Sequence, residues 1–344
     1  MVAYFIRRFL LIIPTFLGIT FLCFTMTRYV PGGPVEMALL RYRYGGGGGG
    51  EAGGGGRGGV GGSIDEELVQ KLKKIYGFDK PIPVAYAMWL GRLVTFDMGD
   101  SYRYSDPVWE VIKKRFPISI FFGVLGFLIS YTICIPLGVM KGVKHGGGFD
   151  LITSVTVFIG YAIPGWTAGV LLLVLFGGGS FWDVFPLGGF VSEGFEGLTF
   201  LGKAKDLAWH TVLPVSCYVI GQFATLTVLM KNSLMENLGQ DYVRTAFAKG
   251  LPERVVIFKH TLRNSLIPIA TGLAHMLSLV VAGSYLIEKV FNIRGFGYLG
   301  WESIVERDYP VVLGILVIAS SLKLLGNIIS DALYCMIDPR IRFS

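Results

Sequence analysis

Six apolar runs, each long enough to cross a hydrocarbon core as a helix, constrain this chain more than any other feature. They cover residues 9–27, 118–140, 151–176, 211–230, 266–287 and 311–334. Charged residues make up 16% of the 344, against about 25% in a soluble domain. The expectation is an all-α integral membrane protein with six transmembrane helices. Pro14, Pro136, Pro164 and Pro214 fall within the runs, and Pro268 lies near the start of the fifth. Lipid tolerates such prolines where neighbouring helices satisfy the freed carbonyls. The first run follows Arg7 and Arg8 but exceeds a signal-peptide core, and no small-x-small site follows it. It reads as a retained span.

The positions of Lys and Arg set the expected orientation. The N-terminus, the loop at Lys141 and Lys144, residues 231–264 and the tail with Arg340 and Arg342 hold 12 basic residues. The loops 178–210 and 289–309 hold five. The first set is expected in the cytoplasm, with both termini inside. Lys113, Lys114 and Arg115, just before the second run, stand against this rule. The net charge of +7 is loop charge between apolar runs, which argues against a nucleic-acid partner.

That orientation makes residues 29–116 a sizeable external segment. Within it the stretch 45–62, GGGGGGEAGGGGRGGVGG, reads as a flexible tether, because glycine loses the most entropy on ordering. Residues 63–78 then read as an amphipathic helix, with Ser63 as cap, Glu66 three residues on and Gly77 at the end. Residues 197–204, GLTFLGKA, fit the first seven positions of a phosphate-binding loop. The eighth should be a magnesium-binding Ser or Thr, and it is Ala204. No strand is expected before it, so the chain is read as lacking an ATPase site. Cys23, Cys134, Cys217 and Cys335 sit singly in apolar runs and read as packing residues. No metal-ligand spacing and no clustered nucleophile or acid–base pair occurs.

One basic segment between apolar runs stands out: DYVRTAFAKGLPERVVIFKHTLRN, residues 241–264. Asp241 is expected to cap a helix running to about Lys249. Gly250 permits a sharp turn, and Pro252 suits the first position of a second helix running to about Arg263. Leu251, Val255, Phe258 and Leu262 fall on one face, expected to pack on the bundle. Val256 and Ile257 lie off that stripe. The pattern fits a partner surface and, equally, a surface helix with scattered apolar residues.

Residues 242–268 resemble the Glu-Ala-Ala…Gly loop of ABC-transporter permeases. The peptide-permease form typically reads Tyr-x-x-Thr-Ala-Arg-Ala-Lys-Gly-Leu. Here Tyr242, Thr245, Ala246, Ala248, Lys249, Gly250 and Leu251 match, and Phe247 stands where Arg is usual. His260, Arg263, Asn264 and Pro268 continue the likeness. So do VPGGP at 30–34, YGFDKP at 76–81, FDMGDS at 96–101, IEKVFNIRGFG at 287–297, RDYP at 307–310 and the tail DPRIRF. Arg294 departs from a usual Pro. Several motifs in the right order, spread over nearly the whole chain outside the glycine-rich insert, make the resemblance specific. The family is the dipeptide/oligopeptide permease group of bacterial ABC importers, with the branch for oligopeptides and peptide-nucleotide antibiotics the nearest.

The resemblance implies the type I ABC importer permease fold in the bacterial inner membrane, with an external segment between helices 1 and 2. It implies that residues 241–264 are a coupling helix docked in a cytoplasmic ATPase, with Thr245, Ala246, Lys249, Gly250, Leu251, Glu253, Arg254, Val256 and Ile257 as contacts. Implied partners are a second homologous permease, two ATPase subunits, an external solute-binding protein and a peptide substrate. ATP and magnesium belong to the ATPase subunits; this chain is expected to carry no cofactor, metal or catalytic residue. Lys323, in the last run, and Pro164 are candidates for the translocation path or the bundle interior; a lysine at that depth costs at least about 2.5 kcal/mol, and Asp331 or a carbonyl is its expected interior partner. Glu288, Arg307 and Asp308 are candidates for binding-protein contact, against the alternative of solvated loop charges. The competing functional class is a self-contained secondary transporter or channel, which predicts inverted repeats and midplane ionisable groups on broken helices.

Overall fold

The computed structural model describes residues 2–30, 36, 70, 71, 74, 78–179, 181–270 and 283–337. The glycine-rich stretch 45–62, most of the expected helix over 63–78 and the centre of the fifth apolar run lie outside them. The described residues are mainly helical, and their only β pairings are isolated bridges, Asp100 to Pro107 and Gly177 to Phe185. Among the described residues four helices are long and apolar enough to cross a membrane: α1 (Val2–Tyr29), α4 (Phe116–Val143), α7 (Phe200–Leu238) and α12 (Tyr309–Ile337). Shorter helices lie between them: α2 (Ile82–Val94), α3 (Val108–Lys113), α8 (Asp241–Ala248), α9 (beginning at Glu253–Val255), α10 (Tyr285–Val290) and α11 (Phe296–Val305).

The third apolar run is not one continuous span. It forms α5 (Gly148–Ala162) and α6 (Gly165–Phe176), bent by 93° at the break. Pro164 is the cause. Its ring pushes Ile163 out of the helical region, to φ −98° and ψ 115°, and Pro164 itself sits at ψ 137° as the cap of α6. Pro14, Pro136 and Pro214 leave α1, α4 and α7 continuous.

The chain divides into two compact units, one of residues 1–12, 114–301 and 319–344, the other of 13–113 and 302–318. The first is built on a close seam between α4 and α7. Gly126, Ser130, Cys134, Gly138 and Gly142 recur every fourth residue of α4 and are all buried. A Cβ added at Gly138 would lie 2.6 Å from the Met230 Cβ and 2.8 Å from the Thr227 carbonyl; at Gly126 it would lie 2.9 Å from the Tyr218 Cβ. Helix α6 presents Gly165 and Gly169 to α7 in the same way, 2.7 Å from the Cys217 carbonyl and 3.1 Å from its Sγ. Lipid tails are as apolar as leucine, so helices there gain from backbone approach and dispersion rather than from leaving water. Cys134 and Cys217 act as small packing residues in these seams.

The second unit packs the latter part of α1 on α2. Tyr86 and Trp89 stack there, Phe24 meets Tyr86 edge-on, and the Thr20 and Tyr86 hydroxyls lie 2.8 Å apart. Its loop 97–107 closes on Asp308, which accepts from the Ser101 hydroxyl at 2.5 Å and from the Tyr102 amide at 3.1 Å. Arg103 pairs with Glu302 at 2.9 Å. Gly314 admits Val108 and Ile112 of α3 against α12.

Candidate functional site

Residues 241–265 form a helical hairpin whose turn chemistry is fully visible. Helix α8 starts at Asp241, with Gln240 in the capping position and Asp241 as the first helical residue. The Gly250 amide donates to the Phe247 carbonyl at 2.9 Å and the Leu251 amide to the Ala246 carbonyl at 3.4 Å. This pair of bonds is a Schellman cap, which needs a left-handed residue between them. Gly250 supplies it, with φ +77°. The apolar contact that accompanies such caps is made by Leu251, packed on the cluster of Val243, Ala246 and Val256. Pro252 precedes the second helix rather than opening it.

Helix α9 departs from the expected stripe. After Glu253–Val255 it widens to a π-helix over Val256–Thr261 and returns to α at Leu262–Ser265. One turn of π geometry takes an extra residue, which rotates the following side chains. Val256 and Ile257 are buried at its start and Thr261 and Ser265 beyond, while Phe258 is 61% exposed. Two expectations change. Phe258 does not face the bundle, and Val256 and Ile257 are interior rather than partner-facing. Ala246, also buried, holds the turn together. The exposed members of the expected set are Thr245, Lys249, Gly250, Glu253 and Arg254, with Leu251 half-buried.

Helices α4, α5 and α7 are joined by a buried ion cluster. Asp150 accepts from Lys231 Nζ at 2.8 and 2.7 Å, and lies 3.2 Å from both Lys141 Nζ and His145 Nδ1. Lys141, whose side chain is 1% exposed, also donates to the Thr153 and Ser154 hydroxyls and to the Asp150 carbonyl. The hairpin is tied to the same helix α7, since Ser233 donates to the Ser265 carbonyl at 2.9 Å. Helices bent at Pro164, a rigid small-residue seam and a Schellman-capped hairpin bonded to α7 give a frame suited to moving as connected rigid elements.

Comparison with known proteins decides the family. Residues 134–343 match the family described as "Binding-protein-dependent transport system inner membrane component". The chain belongs to this family. It is similar to the inner membrane ABC transporter permease protein YejB of Escherichia coli O157:H7, at 42% identity over 99% of each chain. It is also similar to the peptidoglycan transport system permease protein YejB of Agrobacterium fabrum, at 42% identity over 99% of this chain and 98% of the other. The oligopeptide transport system permease protein AppB of Bacillus subtilis is 34% identical over the whole of both. The chain is thus an ABC-importer permease of the inner membrane, with the type I fold that its motifs implied.

In this permease the remaining candidates fall in different places. Glu288 is 1% exposed, not a surface charge. It accepts from the Ser119 hydroxyl at 2.9 Å and the Tyr298 amide at 2.6 Å, in a cradle closed by Gly283 and Gly295. Burial pushes its carboxyl up to about 6, because desolvation penalises the charged form. Asp308 is equally buried and holds loop 97–107. Neither side chain is a surface available to a binding protein; both organise loops within their own units. Arg307 is half-buried at φ +59°. Lys323 is exposed on α12 rather than interior, and the Asp331 carboxylate pairs with Arg8. Pro164 makes the break of the third run. Of the two glycines beside that break, Gly165 meets α7 closely and Gly160 meets nothing within 4 Å. Residues 197–204 form a turn and the start of α7, capped by Thr199, with Lys203 paired to Glu196 at 3.0 Å.

The sequence reading missed the ion cluster and the small-residue ridge. The ridge had a visible signal, Gly-Ser-Cys-Gly-Gly at four-residue intervals within one apolar run. The ion cluster had only the presence of Lys141, Asp150 and Lys231 near run ends.

Proposed function

We propose that this permease forms the translocation path of an ATP-driven importer of peptides or peptide-like compounds. It pairs with a second homologous permease, and the pair works by alternating access. Two cytoplasmic ATPase subunits hold the ATP and magnesium, one of them grips the hairpin 241–265, and an external solute-binding protein delivers the peptide. Both termini lie in the cytoplasm, on the same side as the hairpin, consistent with the excess of Lys and Arg there.

The observation that carries this reading is the hairpin itself. Val243, Ala246, Val256 and Ile257 are buried, leaving an exposed rim of Thr245, Lys249, Gly250, Glu253, Arg254 and the Phe247 and Phe258 rings. A rigid, self-capped element with exposed apolar rings among charges suits docking in a protein groove. The peptide assignment is supported by the oligopeptide relative at 34% identity. A self-contained secondary transporter finds less support: Lys323, a midplane ionisable group such a carrier would use, faces outward from this chain.

Reconstitution tests the reading. With its partner permease and ATPase subunits in liposomes, the chain is expected to give ATP hydrolysis that rises several-fold with peptide-loaded binding protein, together with peptide uptake. Uptake by the purified chain alone, driven by an ion gradient without ATP, would overturn it.

A further inference from the structure

The first unit holds a cavity of about 340 Å³ between α4, α6, α7 and the start of α10, at the lower end of the size range of ligand pockets. Its walls are unusual for a membrane span. Gly126, Gly165, Gly221 and Gly283 contribute backbone surface, and Tyr218, Gln222, Ser284 and the Trp166 indole are polar side chains in its lining. Among the described residues no charged side chain lines it. The nearest acid, Glu288, has its oxygens engaged by Ser119 and Tyr298.

Gln222 is the informative residue. It lies near the middle of the 39-residue α7, where an unpaired amide is costly in hydrocarbon. Among the described residues nothing hydrogen-bonds its side chain. One helical turn earlier on the same face, the Tyr218 hydroxyl accepts from the Ser284 amide at 3.1 Å, leaving its proton to donate. The cavity thus presents the Gln222 carbonyl and NH2 and the Tyr218 OH among glycine and apolar walls.

We infer that this cavity is a main-chain subsite for the transported peptide. Resting on the peptide reading above, the inference says which part of the peptide is recognised and where. A primary amide matches a peptide group atom for atom, accepting from its N–H and donating to its C=O. At Gly221 an added Cβ would meet nothing within 4 Å, so an extended backbone can approach closely there. The described lining residues offer the peptide termini no counter-charge. The subsite therefore accepts many sequences, limited by side-chain size rather than by charge.

The test uses the complete transporter in proteoliposomes, with trialanine and Ala-Phe-Ala as probes. Gln222→Leu keeps the volume and removes the amide. Uptake of both peptides is expected to fall about tenfold, the effect of losing a buried hydrogen bond to the peptide, while ATPase stimulated by binding protein stays within about twofold of wild type. Gly221→Leu has open space for its side chain, since an added Cβ meets nothing within 4 Å. It is expected to reduce Ala-Phe-Ala uptake at least about fivefold more than trialanine uptake. Wild-type uptake by Gln222→Leu overturns the inference, as does a parallel loss of uptake and stimulated ATPase, or an unchanged peptide ratio in Gly221→Leu. A wild-type transporter whose ATPase responds to binding protein but which moves neither peptide refutes the peptide reading itself, and the subsite with it.

Discussion

Asp150→Asn is expected to destabilise the folded permease by about 3–5 kcal/mol, the scale for breaking a buried ion pair from one side. The charge arithmetic sets the sign and size. Two lysines converge on this one carboxylate, and Lys141 is almost fully enclosed. With Asn in place, Lys141 Nζ keeps its bonds to Thr153, Ser154 and the residue-150 carbonyl, but both cations lose their counter-charge. Lys231→Met is expected to cost distinctly less, because it leaves Lys141 and Asp150 as a balanced pair. Thermal unfolding of the detergent-solubilised protein checks this. Equal destabilisation by the two variants would show that the cluster is not organised around Asp150.

Gly250→Val should leave the spans folded and abolish coupling. A Cβ at Gly250 meets no neighbour, so there is no steric clash. The penalty comes from the backbone: φ +77° costs an ordinary L-residue about 1–2 kcal/mol, and a β-branched one more. Relaxing that strain means giving up the Schellman bonds and the seat of Leu251 on Ala246. The hairpin then loses its fixed shape while α7 retains its packing. Uptake is expected to fall more than about tenfold in Gly250→Val, whereas Gly250→Asn retains most of it, since Asn tolerates the left-handed region. Transport assays at matched membrane levels separate the two. If Asn is as damaging as Val, the backbone argument fails.

The spans were legible because apolar length is a one-dimensional property. Four of the six expected runs appear as continuous helices, longer than their apolar cores because polar ends extend beyond them. The break at Pro164 was not legible as a 93° bend. A proline inside an apolar run gives a kink or a break according to whether its neighbours hold the helix straight, and Pro136 and Pro214 show the other outcome. In the hairpin, Gly250 was readable because a left-handed turn has a residue signature. The π-helix was not, since one extra residue per turn leaves composition unchanged and only the backbone over Val256–Thr261 reveals it. Glu288 and Asp308 were misplaced for a related reason. A carboxylate in a loop looks solvated in sequence, and only the fold brings Ser119 to Glu288 and Ser101 to Asp308.

The most direct test of the account places a photo-cross-linking amino acid at Lys249, on the exposed rim of the hairpin, within the assembled transporter. The prediction is covalent capture of an ATPase subunit from position 249, and none from the same probe at Arg307. Capture of the solute-binding protein from position 249, or failure to capture any ATPase subunit there while ATP-driven uptake proceeds, would contradict the claim that the hairpin is the point of mechanical contact.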